Sequence, residues 1–342
     1  MDRAQLAAIP DVVVARSPAI ERGIADSVAY LASDAAADSP ATDLYWPKWH
    51  SPWWHALLLF ELGEGRQIPA RATDALVAAT AAFPLKYFPI HPGEAPPGTD
   101  LSRDVLCHCA IGSLAQMLGA AGVDVETEPA LGFVAPWLAR YQMADGGLSC
   151  DDQAYLAAER TGECPSSMVG TIAPFEAMLA RGADDGDFVA RAARFLIGRA
   201  LVRGSDTAHN ADERAAATRW PEPCFPRFYF YDVLRGLSAL VRWAERTGAS
   251  LPGAALAEAV DALVAQSSDG VVRVGRRAHA DHTTVVPSRD RREHRPRTPT
   301  TTFPLLDAVS VVGEPSEALT RQWAATRHGL IRLLDAGRIA AG

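Results

Sequence analysis

The sequence predicts an all-α protein folded as an α/α toroid of about five to six helix hairpins. Alanine, leucine and arginine dominate its long periodic segments, and its β-branched runs are short, a pattern that favours helix over strand. Clusters of proline and glycine precede five apolar segments of helical character. The motif Gln-x-x-Asp-Gly occurs at Gln142 and again at Gln266, and this offset fits two repeats of about 60 residues each.

The five apolar segments are predicted to be helices that face a common centre. Their starts are separated by about 50–75 residues and lie near Ser51, Arg103, Ser166, Arg227 and Thr302. Residues 129–142 and 187–201 each carry one apolar stripe, as outer helices do, and residues 19–33 predict a further helix. Helix hairpins bury their faces only against neighbouring hairpins. Hydroxyl, aromatic and imidazole groups at the segment starts favour a closed ring around a cavity, with an open solenoid as the alternative.

Composition restricts the class of protein. The chain has 342 residues, 48% hydrophobic and 22% charged, with a net charge of -8, so non-specific nucleic-acid binding is not expected. No apolar run approaches the roughly 18–20 residues of a membrane span, and no secretory signal is evident. We therefore expect a cytoplasmic protein with one domain over residues 1–342, no integral membrane segment and reduced cysteines. The sequence does not indicate the oligomeric state.

Three stretches carry a resemblance to a known superfamily. They are "WLARYQMADGGLSC" (137–150), "ECPSSMVGTIAPFEAML" (163–179) and "FYFYDVLRGLSAL" (228–240). The first resembles the Gln-x-x-x-Gly-x-Trp repeat of the squalene–hopene cyclases and protein prenyltransferase β-subunits, although Leu148 and Val272 stand where the repeat has tryptophan. The similarity spans about residues 45–315. It implies a toroid and an enzyme that acts on an apolar, isoprenoid-like small molecule.

The resemblance does not extend to the prenyltransferase zinc site. That family holds zinc with an Asp-x-Cys pair and a histidine, whereas this chain has Cys150-Asp151-Asp152 and places Tyr229 at the histidine position. We therefore expect no metal and no cofactor. An alternative is a metal site built from groups near the segment starts, since thiolates and imidazoles suit zinc; these are Cys107, His108, Cys109, Cys150, Cys164 and Cys224.

Candidate proton donors lie within apolar segments of helical character. The Asp-x-Asp-Asp acid motif of class II terpene cyclases does not occur in this chain. Asp232 and Asp307 are each surrounded by apolar residues, where a carboxylate is costly unless it is paired or protonated. We predict that Asp232 acts as the acid or orients the substrate, with Asp307 as a second candidate. The alternative for Asp232 is a buried salt bridge, for which Arg235 is a possible partner.

Aromatic residues and histidines are predicted to line the cavity. Aromatic faces stabilise cations, as carbocation chemistry requires, and His55 and His108 are candidate bases for a final deprotonation. The alternative is a purely structural aromatic layer. The predicted substrate-binding residues are Trp49, Trp54, Tyr229, Tyr231 and Arg227.

An arginine-rich segment over residues 270–300 is predicted to be a long loop or lid within the domain. One interpretation of this segment is a solvated, flexible insertion, and the alternative is a clamp for phosphate groups.

Together the features of the sequence predict a terpene cyclase-like lyase or isomerase that uses acid/base chemistry on an apolar small molecule. The alternatives are a non-catalytic toroid that binds a ligand or a protein, and a zinc-thiolate enzyme of the prenyltransferase type.

Overall fold

A computed structural model describes residues 1–91, 93–101, 103–182, 187–279, 283–287 and 297–340 of the protein. This part of the chain is mostly helical, which confirms the all-α prediction. Its α-helices are α1 (Arg3–Ala8), α2 (Pro18–Leu31), α3 (Asp34–Thr42), α4 (Pro52–Leu62), α5 (Ala70–Ala81), α6 (His108–Ala121), α7 (Val134–Tyr141), α8 (Asp152–Thr161), α9 (Met168–Arg181), α10 (Asp187–Gly198), α11 (Ala211–Ala217), α12 (Val233–Thr247), α13 (Gly253–Gln266), α14 (Pro304–Val309) and α15 (Glu317–Asp335).

Five helices form a closed circuit of contacts, and we call them the central helices. Helix α4 contacts α6, α6 contacts α9, α9 contacts α12, α12 contacts α15, and α15 contacts α4. The approach of α6 to α9 depends on Gly112, because a Cβ atom there would lie 2.3 Å from the backbone nitrogen of Pro174. Helices α2, α3, α5, α7, α10 and α13 pack against members of the circuit from other sides.

Local sequence sets the ends of the central helices. Ser167, Asp232 and Ser316 cap the N-termini of α9, α12 and α15 by accepting a hydrogen bond from a peptide N–H in the first turn, which satisfies one of the free N–H groups there. Glycines in the left-handed conformation end four of the five helices, since glycine meets no steric penalty there; they are Gly63, Gly122, Gly182 and Gly248.

The two Gln-x-x-Asp-Gly copies form equivalent turns. Both end an outer helix, α7 or α13, and both glycines have positive φ angles, 92° and 80°. Leu148 after the first turn accepts the Ser167 N–H and donates its own N–H to Thr171. Val272 after the second turn pairs in the same way with Ser316 and Thr320. Each turn therefore delivers the chain to the first turn of a central helix, α9 or α15.

The fifth predicted segment differs from the structure. Residues from Thr302 onwards form only the short helix α14, which packs against α2, and the fifth central helix is α15. Apolar content pointed to residues 302–313, but α15 is amphipathic, with Leu319, Trp323 and Leu330 buried on one side. A helix with one buried face needs only one apolar stripe.

Short strands complete the described fold. Strand β1 (Leu251–Pro252) pairs in parallel with β4 (Ile339–Ala340), and β2 (Thr283–Val285) pairs antiparallel with β3 (Arg297–Pro299). The arginine-rich segment predicted as a loop therefore contains a small hairpin, and its residues 280–282 and 288–296 lie outside the described residues. Among the described helices, none combines the length and the apolar character that a membrane crossing requires.

Candidate functional site

A cavity of about 340 Å³ lies between the five central helices, within the size range of small-molecule sites. Every central helix contributes to its wall, together with residues 225–228 of the segment that precedes α12. Much of the wall is polar or charged, from Glu61, Ser113, Gln116, Glu176, Arg227, Arg235, Ser238, Arg242, Arg321 and Gln322. Its apolar members include Leu57, Phe60, Phe225 and Phe228. Of the predicted substrate-binding residues, only Arg227 lines this cavity.

Glu61 is a partly buried carboxyl group on the wall of this cavity. It lies in the last turn of α4 and accepts hydrogen bonds from the peptide N–H groups of Arg227, at 2.7 Å, and of Phe228. Phe228 has a φ of 54°, a conformation that costs energy in a bulky residue, and the bond to Glu61 helps to hold it. Burial raises the pKa of Glu61. The positive charge of Arg235 and the hydrogen bonds from the peptide groups of Arg227 and Phe228 lower it, but they only partly offset the effect of burial.

The second cavity carboxylate is paired. Glu176 of α9 accepts two hydrogen bonds from the Arg235 guanidinium, at 2.7 and 2.9 Å, and lies 3.3 Å from Arg242. Arg235 also donates to the carbonyl oxygens of Phe228 and Phe230. The Arg242 side chain is 51% exposed, so it can turn towards a ligand, whereas Arg235 is fixed by four hydrogen bonds.

Asp232 is buried but does not have the surroundings of a proton donor. It caps α12, accepts the N–H groups of Cys224 and Arg235, and forms a two-pronged salt bridge with Arg227 at 2.7 and 3.1 Å. Burial acts to raise the pKa of Asp232, but the charge and hydrogen bonds of Arg227 outweigh it, and the pKa lies below its usual value. The carboxyl is therefore ionised at neutral pH. The partner is Arg227, whereas the sequence suggested the side chain of Arg235.

A second cavity, of about 460 Å³, shares wall residues with the first. The shared residues are Phe60, Gln116, Glu176 and Arg242. The rest of its wall lies around the ends of α6 and α9, where Ala115, Val123, Val125, Ala177 and Ala180 lie beside the charged residues Asp124, Glu126 and Arg181. The two chambers share a wall, and both combine apolar with charged side chains.

The predicted aromatic wall forms a packed layer instead. Trp49 and Trp54 are fully buried, and Trp49 stacks on Phe228 with ring centroids 5.2 Å apart. Tyr229 also stacks on Trp49, with ring centroids 5.9 Å apart, and its hydroxyl accepts a hydrogen bond from Lys48 Nζ at 3.1 Å. The hydroxyl of Tyr231 donates to the carbonyl oxygen of Leu201, and its ring packs against Trp220. Phe228 is the member of this layer that also lines the first cavity.

The predicted bases and Asp307 do not meet at the cavity. The His55 ring is stacked on Phe303, with ring centroids 3.6 Å apart, and its Nδ1 is hydrogen-bonded to the hydroxyl of Ser27. Burial lowers the pKa of His55 to about 3. His108 is bonded to the hydroxyl of Tyr155, and burial lowers its pKa to about 4. Asp307 is exposed and accepts a hydrogen bond from Thr302. The four predicted catalytic residues thus lie in four separate environments, and none of the four lines either cavity.

Three of the five cysteines come together at the start of α6. The Sγ atoms of Cys107 and Cys109 are 3.2 Å apart, and these two atoms and the Sγ of Cys150 all lie within 4.8 Å of one another. Cys164 and Cys224 lie elsewhere; Cys224 is buried beside Asp232. The sequence alone could not separate the clustered thiols from the other two, because the Cys-x-Cys spacing is uncommon for metal ligands.

Comparison with known proteins adds no relative: no family model matches the chain, and neither do curated proteins or solved structures.

Proposed function

We propose that the central helices form a toroid, and that the chain is an enzyme that isomerises or cyclises an isoprenoid-like small molecule by acid/base chemistry in its cavity. The observation that carries this proposal is Glu61, a carboxyl group with a raised pKa on the cavity wall. A raised pKa brings protonated and ionised forms closer together in population near neutral pH, which suits a group that must both give and take a proton. Asp232 does not have this property.

The substrate class follows from the two chambers. An entirely apolar molecule would remove water from the half-exposed guanidinium groups of Arg242 and Arg321 without giving them a new partner, which is costly. A molecule with an anionic head and an apolar tail fits better. Its head would contact Arg242 and Arg321, whose side chains are 51% and 50% exposed, and its tail would lie against the valine and alanine side chains of the second chamber. Arginine forks match carboxylate and phosphate oxygens.

Binding tests the substrate class. We expect farnesyl diphosphate to raise the melting temperature of the protein and farnesol to do so far less. Arg242→Gln should weaken diphosphate binding by about tenfold, which corresponds to one charge-assisted hydrogen bond of about 1.5 kcal/mol. Equal effects of the two ligands, or no effect of either, would contradict the proposed substrate class.

Turnover tests the role of Glu61. Incubation with a panel of prenyl diphosphates, analysed by mass spectrometry, should give products with the wild type and with Glu163→Gln, which changes an exposed glutamate. Glu61→Gln should reduce the rate by about 100-fold or more, the usual contribution of a positioned acid or base. Glu61→Asp should keep part of the activity. Ligand binding without any conversion would instead indicate the non-catalytic toroid.

A further inference from the structure

The cluster of Cys107, Cys109 and Cys150 has the composition of a metal site. Zinc binds thiolate sulfur at about 2.3 Å in tetrahedral geometry, so the sulfurs around one ion are about 3.8 Å apart. The Sγ atoms of Cys107 and Cys109 are 3.2 Å apart, and the other two spacings are at most 4.8 Å, so all three lie within about 1 Å of this value or closer together. Small rotations of the side chains would bring all three sulfurs to one ion.

Helix α6 and the Gln142 turn position these side chains. Cys107 is the N-cap residue of α6 and Cys109 lies in its first turn, where the positive end of the helix favours thiolate. Cys150 follows the Gln142 turn, two residues after Leu148, whose backbone is bonded to Ser167. The Cys109 N–H points to the Cys150 sulfur at 3.4 Å. Peptide N–H bonds to ligating sulfur are a common outer contact of metal–thiolate centres.

The charge around the cluster matches a divalent ion. Three thiolates and one divalent ion carry a net charge of −1, and the ammonium group of Lys48 interacts electrostatically with Cys107 and Cys109. Lys48 is held in place by its bond to Tyr229 and lies 5.1–5.8 Å from four aromatic ring centres. Lys48 is one of only two lysines in the chain, and its positive charge would offset the charge of such a centre.

We propose that Cys107, Cys109 and Cys150 bind one zinc ion and leave its fourth coordination position open to an exogenous ligand. Among the described residues, no further cysteine, histidine or acidic group joins this cluster. Three protein ligands with one open position are the arrangement of zinc sites that bind water or substrate, whereas structural zinc sites have four protein ligands. This site uses none of the residues of the Glu61 cavity, so the two proposals stand or fall separately.

Zinc titration of the full-length, reduced, chelator-treated protein tests the site directly. We expect one equivalent of zinc to bind. Each of the variants Cys107→Ser, Cys109→Ser and Cys150→Ser should weaken binding by about 100-fold or more, because even the loss of a residue that only hydrogen-bonds to a metal ligand lowers metal affinity by about 10–100-fold. The matched control Cys164→Ser and the variant Glu61→Gln should bind zinc like the wild type. Failure to bind zinc, or an equal loss in Cys164→Ser, would overturn the proposal.

A measurement on the wild type avoids the risk that a variant does not fold. Zinc should protect Cys107, Cys109 and Cys150 from alkylation, mapped by mass spectrometry, and leave the labelling of Cys164 unchanged. With Co²⁺ in place of zinc, we expect a thiolate-to-cobalt charge-transfer band and visible bands of a tetrahedral ion that shift when a small thiol is added. Identical labelling with and without zinc would refute the site, and visible bands unaffected by the thiol would refute the open position.

Discussion

Replacing Asp232 with asparagine should destabilise the protein strongly, because the carboxylate neutralises a buried guanidinium. Arg227 is 7% exposed and Asp232 is completely buried, with two hydrogen bonds between them. An asparagine would still accept the Arg235 N–H and cap α12. Its amide NH₂ would, however, face the donors of Arg227 and Cys224. Removing one partner of a buried pair costs about 3–5 kcal/mol, and the retained cap and the Arg227 bond to Gln322 place the expected loss near the lower end, about 3 kcal/mol.

Urea unfolding followed by circular dichroism measures this loss. With a urea dependence near 3 kcal/mol per molar, the midpoint should fall by about 1 M. Asp307→Asn is the matched control, since Asp307 lies in the first turn of α14 but is exposed, and it should change stability by less than about 0.5 kcal/mol. Because the pKa of Asp232 is lowered in the folded state, its contribution is complete above the unfolded value of about 3.9 and lost at lower pH. The urea midpoints of the wild type and of Asp232→Asn should therefore converge below about pH 4.

A stable but inactive Asp232→Asn protein would refute this reasoning and restore the acid role that the sequence suggested. A second check is the double variant Arg227→Met, Asp232→Asn. It removes both charges, so it should be more stable than Asp232→Asn alone. If the double variant is less stable by the sum of the two single losses, the pair is not coupled.

Further predictions concern pH and the repeated turn. Since the folded pKa of Glu61 is raised, the stability of wild type relative to Glu61→Gln should fall as pH rises from about 4.3 through that folded pKa; a constant difference would contradict it. His55 has a pKa of about 3, so it should contribute a loss of about 1.4 kcal/mol per pH unit below about 6.5, absent in His55→Phe. Alanine at Gly146 or Gly270, where a Cβ atom would lie 2.2 Å from a carbonyl oxygen, should cost more in denaturant midpoint than Gly313→Ala, which has a positive φ but open space.

The repeated turn was predictable from sequence because its chemistry is local. A side-chain amide, a carboxylate and a glycine within five residues carry most of the information. In both copies the aspartate accepts the peptide N–H two residues later and the glycine has a positive φ, whereas the two glutamines have different partners. Gln142 bonds to the carbonyl oxygens of Gly146 and Phe188, and Gln266 bonds to those of Pro221 and Ala262. The position of α15 was less accessible, because between the second turn and α15 the chain inserts the segment that contains β2 and β3.

The candidate site could be predicted only in part, because it depends on how distant segments meet. Arg227 was expected in the cavity and lies there, but nothing in the sequence shows that its side chain returns to Asp232 five residues later. Glu61 sits at the end of a helix, next to Gly63, where an acidic residue is usually exposed. Only the folded chain brings the N–H groups of residues 227 and 228 to its carboxylate.

Burial alone does not distinguish a carboxylate with a structural role from one that can transfer a proton. The number and the charge of its hydrogen-bond partners distinguish them. Asp232 receives donors from a guanidinium and two peptide groups, so its ionised form is stabilised and its proton is lost at neutral pH. Glu61 is bonded to two peptide N–H groups and to no guanidinium in the described part of the chain, and it borders a cavity. Burial therefore dominates its pKa, and an entering ligand can become its next partner. A cavity acid requires this incomplete pairing, and of the two cavity carboxylates Glu61 has it while Glu176 does not.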